Sequence, residues 1–281
     1  MSVRGNSGFI DTDKRFGSAS GNTKGIVARE QHFLERTQGR LKPISEGPAS
    51  NPTAWFDAES QYVTLISSRV SQWDDKSGNS INMLQGSATP RPSYSSSNAS
   101  LNSLPSVDAA DNQWMETGDD PLLDVNGTGG FTVYIVAVKN SFPSTFSWIA
   151  GRTNTSTWSQ GWGMILYSGA IRFFVNNWNS ASTRAETTIP ADGSTSIYKM
   201  HYDETTITAE IIGDGADIDT QAYAVAVTDP TGTEGLLLNA GNSTSYDGDF
   251  DFGEYIFYNR PLTADEQTTT EDYLKNKFNI V

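Results

Sequence analysis

The sequence predicts an all-β fold, an antiparallel sandwich followed by one short C-terminal helix. Three observations predict it: the composition, a series of short apolar runs separated by turn residues after Ala54, and a helix-start pattern near the end of the chain. Only 19% of the 281 residues are charged and 25 are Gly. That balance favours strands joined by many turns over a helical bundle.

The predicted strands are short apolar or alternating runs. Turn pairs such as Ser168-Gly169 and Asp192-Gly193 separate many of them, and strands at this spacing indicate an antiparallel sandwich. The segments are Ala54–Asp57, Phe131–Lys139, Trp148–Gly151, Trp162–Tyr167, Ala170–Val175, Ile197–Tyr202, Thr206–Ile212, Tyr223–Thr228, Leu236–Ala240 and Phe252–Tyr258.

One helix is predicted at the C-terminus. Thr263 and Glu266 have the spacing of a capping box, in which each side chain binds the other residue's backbone amide. Tyr273, Leu274 and Phe278 then supply an apolar face. We expect this helix to pack against the sandwich.

The charge and the missing residue types exclude several kinds of function. Lys and Arg number 19 against 33 Asp and Glu, a net charge of −14, which argues against a nucleic-acid partner. Cys is absent and only His32 and His201 exist, so disulfides, thiolate chemistry and most His-built metal sites are ruled out. No run approaches the ~20 apolar residues of a membrane span. The first ten residues lack the apolar core of a secretory signal, so we expect assembly in the cytoplasm of the producing cell.

The charge divides the chain into an arm and a body. Residues 1–46 hold eight basic and five acidic side chains, which leaves 11 basic and 28 acidic side chains in the remainder. We therefore predict an N-terminal arm and linker over residues 1–52 and a folded domain over residues 53–281. The arm is either a disordered tail or a segment that becomes ordered on a partner. The candidate docking residues are Phe9, Ile10, Arg15, Phe16, Ile26, Arg29, Phe33 and Leu34.

Several stretches resemble the laminin G-like, concanavalin A-like jelly rolls. They are Ala54–Ala58 with Val70–Asn79 near the start, Ser106–Met115, and the closing segment Gly253–Thr263. The resemblance covers about residues 54–281 and implies a jelly-roll sandwich. It leaves function open, because that family includes lectins, hydrolases and structural modules. Within it, we predict a structural turn around Gly78, with Trp73 packed inward, for the segment Trp73-Asp74-Asp75-Lys76-Ser77-Gly78-Asn79.

Aromatic residues and amides mark a candidate glycan-binding rim. Trp158 and Trp178 lie among Ser, Thr and Asn in predicted loops. An exposed indole flanked by amides is suited to stacking against a sugar ring. The predicted binding residues are Trp158, Asn176, Asn177 and Trp178, although most aromatics of this stretch are expected to be core.

The acidic run from 247 to 254 has two candidate roles. Asp247 and Asp249 could hold calcium, although the run does not fit the twelve-residue calcium loop. Asp249, Asp251 and Glu254 have the acid-x-acid-x-x-acid spacing that resembles some concanavalin A-like glucanases. On a regular strand, however, Glu254 points away from the other two unless a bulge intervenes.

The arm has a resemblance of its own. Gly8-Phe9-Ile10, Asp13–Gly17 and Ala28–Phe33 are similar to N-terminal segments of tailed-bacteriophage structural proteins. This implies a non-enzymatic virion protein, attached to capsid or tail by the arm and displaying a body that binds cell-surface glycans. It further implies a homo-oligomer, most simply a trimer, with no cofactor other than calcium. The alternatives are a stand-alone lectin and a glycan hydrolase.

Overall fold

The protein is a β-sandwich with one α-helix in the part of the chain that the structure describes. The computed structural model describes residues 47–110, 112–141, 146–154, 157–230, 234–239 and 248–281. Its compact unit runs from Glu46 to Val281. The predicted fold, all-β with a single C-terminal helix, is confirmed.

Seventeen strands and the helix α1 follow one another along the described residues. Their bounds are β1 Ala54–Asp57, β2 Val63–Ile66, β3 Arg69–Trp73, β4 Met83–Leu84, β5 Ser93–Asn98, β6 Leu104–Ala109, β7 Met115–Thr117, β8 Phe131–Ser141, β9 Phe146–Thr153, β10 Gly161–Tyr167, β11 Ala170–Val175, β12 Arg184–Thr187, β13 Ser194–Tyr202, β14 Thr206–Gly213, β15 Asp217–Ala222, β16 Leu237–Leu238, β17 Asp249–Tyr258 and α1 Ala264–Phe278.

The strands form two antiparallel layers. In the first, β17 pairs with β8 on one side and with β6 and β1 on the other; β5 pairs with β6, and β13, β14 and β15 continue the layer beyond β8. In the second, the order is β12-β11-β10-β9-β16-β7-β4-β3-β2. The layers meet at one β3–β5 residue pair, Arg69 with Ser93, and at a bridge between Phe56 and Asp75.

The main core lies between the two layers and is rich in aromatic rings. Trp162 of β10 stacks between Phe131 of β8 and Phe257 of β17, with ring centres 5.2 and 5.7 Å apart. All three side chains are completely buried. Each such side chain contributes about 1.5–3 kcal/mol on burial, so this stack is a principal link between the layers.

A second core lies on the outer face of the first layer, beneath α1. Strand β8 alternates between the two cores: Val133 and Ile135 point into the main core, whereas Tyr134 and Val136 pack toward α1. Both faces of β8 are therefore buried, which explains its unbroken apolar sequence. The capping box of Thr263 and Glu266 is present as predicted and begins the helix.

The body starts earlier than predicted. Ala49 is buried in the core beneath α1; its backbone N–H donates to the Thr270 hydroxyl at 3.1 Å, and its carbonyl accepts from the Tyr258 hydroxyl at 2.8 Å. Residues 47–52, expected to be linker, are thus held against the domain. The remaining arm, with all eight candidate docking residues, lies outside the described residues.

Strand β17 carries a bulge that α1 requires. Phe252 pairs with Ala137 and Glu254 with Val136, so Gly253 is an extra residue in the strand. A Cβ atom on Gly253 would lie 2.6 Å from the Phe278 ring, so only glycine permits this approach. The bulge shifts the inward and outward alternation of the side chains by one residue, and this turns Glu254 toward the helix.

Glu254 belongs to a buried ion cluster. Lys277 Nζ of α1 lies 2.8 Å from Glu254 and 2.7 Å from Asp57 of β1, and Lys76 lies 2.8 Å from Asp57. Trp55 Nε1–H donates to Glu254 at 2.6 Å. Burial raises the pKa of Glu254 to about 7, whereas Lys277 and Lys76 overcome burial and hold the pKa of Asp57 below its usual value. This cluster fastens β1, β17 and α1 together.

One predicted strand is wrong. Tyr223–Thr228 forms no strand, and the neighbouring β15 is Asp217–Ala222 instead. The backbone of the segment bonds to loops: Thr228 N–H donates to Asn176 Oδ1 at 2.8 Å, and the Thr228 carbonyl accepts from Gly161 N–H at 2.7 Å. Within the segment Val227 is buried in the main core and Val225 is exposed, and the alternation does not extend a sheet.

The turn predicted around Gly78 is confirmed. Trp73 is fully buried, and Asp75 Oδ1 accepts from the Ser77 backbone N–H at 2.8 Å. Gly78 has a φ of 96°, which glycine adopts without strain. Within the described residues, no helix is both long enough and apolar enough to cross a membrane.

Lys277→Ala is expected to lower the free energy of unfolding by about 3–5 kcal/mol, because it leaves two buried carboxylates with a single cation. The matched control is Lys275→Ala on the same helix; Lys275 forms no ion pair within the described residues, and its replacement should cost about 0.5 kcal/mol or less. Urea unfolding measures both. Equal effects of the two substitutions would contradict the role given to Lys277.

Candidate functional site

The outer face of β9, β10 and β11 carries a cluster of aromatic rings. Along β10, Met164 and Leu166 point into the main core, so Ile165 points outward. Phe174 of β11 and Trp148 of β9 lie on the same outer side. We call this surface the aromatic face; its rings are Phe146, Trp148, Trp158, Tyr167, Phe174 and Trp178.

Two facing glycines make room for the floor of this cluster. Gly151 of β9 pairs with Gly163 of β10. A Cβ atom on Gly163 would lie 2.7 Å from Phe174 and 2.9 Å from Trp148, and one on Gly151 would lie 2.9 Å from Trp148. Trp148 and Phe174 therefore lie flat on the strands and are fully buried.

Trp158 and Trp178 cover that floor from two loops. Their ring centres are 5.6 Å apart, and Phe146 contacts both, at 5.1 Å from Trp158 and 5.4 Å from Trp178. Trp158 also lies 5.4 Å from Trp148. Both covering indoles remain partly exposed. The structure thus brings together the two tryptophans that the sequence singled out.

The backbone at Trp158 is in an unusual conformation. Trp158 has a φ of 48°, in the left-handed region that bulky residues rarely adopt. Asn154 organises the turn: its Oδ1 accepts the backbone N–H of Ser159 at 2.9 Å and of Gln160 at 3.2 Å. Such strain persists where surrounding contacts fix it, often at sites that must hold one geometry.

The two predicted asparagines have different positions. Asn177 is exposed beside Trp178, and its Oδ1 accepts the Asn179 backbone N–H at 3.0 Å. Asn176 is buried and turned inward, where Nδ2 donates to Tyr223 and Ala226 while Oδ1 accepts from Thr228. Its polar atoms are occupied within the protein, so we remove Asn176 from the candidate binding residues.

Charged side chains border the aromatic face on β11 and β12. The Arg172 guanidinium lies 4.3 Å from the centre of the Tyr167 ring, and Tyr167 in turn contacts Trp178 at 5.4 Å. Arg172 and Arg184 approach the same Glu186 oxygen, at 2.9 and 2.6 Å. Sequence reasoning missed these residues. Arg172 alternates with the apolar residues Ile171 and Phe173, and Arg184 is followed by Ala185. This alternation is the sequence pattern that could have placed both arginines on the outer face of their strands.

The acidic run on β17 does not form the candidate catalytic set. The bulge turns Asp249, Asp251 and Glu254 toward the same outer face. Glu254, however, is fully buried under α1 and bonded to Lys277, so solvent does not reach it. Asp251 instead accepts Asn98 Nδ2 at 2.7 Å and Asn140 Nδ2 at 2.8 Å.

The proposed calcium residues are only partly described. Asp247 lies outside the described residues. Asp249 accepts the Asn140 amide at 3.3 Å and the Ser141 hydroxyl at 3.2 Å. In the ranges that the structure describes, no group of three or more His, Asp or Glu side chains is arranged to hold a metal ion.

Asp108 lies across from Asp251 on the neighbouring strand β6. Burial raises the pKa of Asp108 to about 6; the Ser106 hydroxyl opposes the rise, and Asp251 and Asp249 add to it. This carboxyl therefore takes up a proton well above the usual range of an aspartate.

No protein family and no curated protein matches this sequence. Solved structures do match in fold. They include the binding domain of Paraclostridial Mosquitocidal Protein 1 (12% identity, TM-score 0.54, 79% of this chain and 52% of that one) and a Trypanosoma rangeli sialidase in complex with sialic acid (10%, 0.55, 91% and 39%). A GH54 α-L-arabinofuranosidase also matches (13%, 0.54, 76% and 52%).

These neighbours share the sandwich and correct one prediction. The chain spans about half or less of each of their lengths. The prediction that the protein is not an enzyme is contradicted, because the neighbours include a sialidase and an arabinofuranosidase. The reason is that residues which specify a sandwich core are separate from those that would carry catalysis, so the fold does not exclude hydrolysis.

Asp108→Asn is expected to raise the melting temperature at about pH 7.5 and to lose that advantage at about pH 3.5. The folded pKa of Asp108 lies above its usual value, so wild-type stability falls as pH rises from about 4 to about 6, whereas the amide has no proton to lose. We expect a gain on the order of 1 kcal/mol, allowing for solvent screening. Thermal unfolding at both pH values measures it, and a pH-independent difference would refute it.

Proposed function

We propose that this domain binds a carbohydrate on its aromatic face. The observation that carries the proposal is the partly exposed pair of Trp158 and Trp178, held 5.6 Å apart on a floor of buried rings. An indole combines a flat apolar surface with one N–H donor, a combination that suits the apolar face and hydroxyl edge of a sugar ring. Asn177 adds an exposed amide beside Trp178.

The rigidity of the aromatic face supports the proposal. Trp158 contacts Phe146, Trp148 and Trp178, so its ring has little freedom to lose when a ligand binds. A ligand that stacks on a preordered ring avoids most of the side-chain entropy cost of association.

The chemistry of the structural neighbours agrees with a sugar ligand. One is described as a sialidase in complex with sialic acid, and another as an arabinofuranosidase soaked with a nitrophenyl arabinofuranoside. At identities of 10% and 13% this likeness concerns the fold, and the aromatic face is the independent support.

The second part of the proposal concerns the N-terminal arm. It is that residues 1–46 attach the protein to the capsid or tail of a virion, where several copies display the domain outward. What supports it is the surplus of basic residues in the arm, opposite in sign to the body, and the resemblance of Gly8-Phe9-Ile10 and the following motifs to phage structural proteins.

Trp158→Ala and Trp178→Ala are each expected to weaken glycan binding about tenfold or more, the equivalent of about 1.4 kcal/mol, because each removes a stacking ring. A glycan array identifies the ligand and calorimetry gives the affinity. Trp114→Ala is the matched control, since Trp114 is also partly exposed but lies outside the aromatic face. Mass spectrometry of the recovered glycan reports any cleavage. Absence of a ligand, or binding unchanged in both variants, would refute the proposal.

Removal of residues 1–46 is expected to abolish cosedimentation with particles from lysed producer cells, while glycan binding persists, because the core and the aromatic face lie within residues 47–281. Full-length protein is the control, and near-ultraviolet circular dichroism checks that the truncated domain keeps its packing. Equal cosedimentation of both proteins would contradict attachment through the arm.

A further inference from the structure

At the border of the aromatic face, two arginines share a single carboxylate as their ion-pair partner. Arg172 and Arg184 both pair with one oxygen of Glu186. Both do so through Nε, and their terminal amino groups make no hydrogen bond to any described residue. Nearby Asp219 accepts the Glu186 backbone N–H at 2.9 Å and forms no ion pair with either arginine in the described ranges.

An ion-pair cluster with more cations than carboxylates is unusual for this molecule. The body has 28 acidic and 11 basic residues, and its other ion-paired clusters contain at least as many carboxylates as cations. Arg152 pairs with three aspartates, and Lys199 pairs with two glutamates. Among the described residues, Arg172, Arg184 and Glu186 form the one cluster in which cations outnumber anions.

The two arginines are placed to act together with the aromatic rings. Register places Arg172 opposite Glu186 and Phe174 opposite Arg184, so all four residues share the outer face of β11 and β12. Arg172 lies over Tyr167, which contacts Trp178. The side chains of Arg172 and Arg184 are 11% and 14% exposed, so their stems are packed while the ends of the guanidinium groups reach solvent.

We propose that the ligand of the aromatic face is an acidic sugar, one whose carboxylate binds Arg172 and Arg184 while its ring stacks on the tryptophans. The inference rests on the proposed carbohydrate binding and adds its chemical class. A guanidinium presents paired N–H donors that match the two oxygens of a carboxylate. Because both arginines share one Glu186 oxygen through Nε, their terminal amino groups remain to bind a ligand carboxylate, which a neutral sugar does not offer.

The test compares matched acidic and neutral glycans on the full chain. The probes are sialyllactose against lactose, and a glucuronic acid-terminated disaccharide against its glucose-terminated counterpart; the two pairs distinguish a sialic acid from a uronic acid. Proteins tested are the wild type, Arg172→Gln, Arg184→Gln, the double variant, and Arg69→Gln as a control on β3. Arg184→Lys keeps the charge without the planar fork, and melting curves confirm that each variant folds.

We expect the wild type to prefer the acidic member of at least one pair about tenfold or more, and the preference to weaken with added salt. The double variant should lose the preference but keep the affinity for the neutral member, and Arg69→Gln should behave as wild type. Equal binding of acidic and neutral members, or a preference that survives in the double variant, would overturn the inference and leave carbohydrate binding intact. Absence of binding by every glycan would overturn both.

Discussion

Lys277 links strands β1 and β17 to the C-terminal helix α1. It neutralises Asp57 of β1 and Glu254 of β17, two carboxylates that are almost completely removed from solvent, and it comes from the last turn of α1. Without that cation, Glu254 would be buried with no ion-pair partner among the described residues and Asp57 would keep only Lys76, at a cost of several kcal/mol. The contact depends on the bulge at Gly253, which turns Glu254 toward the helix, and it adds to the apolar packing of α1 on Tyr134 and Val136.

The contact between Lys277 and Glu254 also determines which carboxylates of the acidic run on β17 solvent can reach. In sequence, Asp249, Asp251 and Glu254 have the spacing of a catalytic set. The bulge places them on a common face, yet the helix covers Glu254 and leaves only the two aspartates near solvent. Asparagine side-chain amides donate hydrogen bonds to those two aspartates. Asp108, on the neighbouring strand, keeps its proton to a higher pH than an ordinary aspartate.

The two outer faces of the sandwich differ in what covers them. On the first layer, α1 buries the apolar residues of β8 and β17. On the second layer, no helix covers β9, β10 and β11 within the described residues, and the face is covered by its own aromatic rings and two loops. A partly exposed, rigid aromatic surface with two arginines at its border is what this arrangement leaves available to a ligand.

The sequence by itself determined the sandwich, the capped helix, the turn at Gly78 and the two tryptophans of the candidate site, because each depends on local periodicity or on turn and cap chemistry. Short polar strands such as β5 and β12 escaped prediction, since cross-strand partners stabilise them. Only the tertiary structure decided that Asn176 turns inward, that Glu254 is covered, and that Arg172 and Arg184 share one carboxylate beside the rings. Those outcomes depend on register, one bulge and helix docking, which are contacts between residues far apart in the chain.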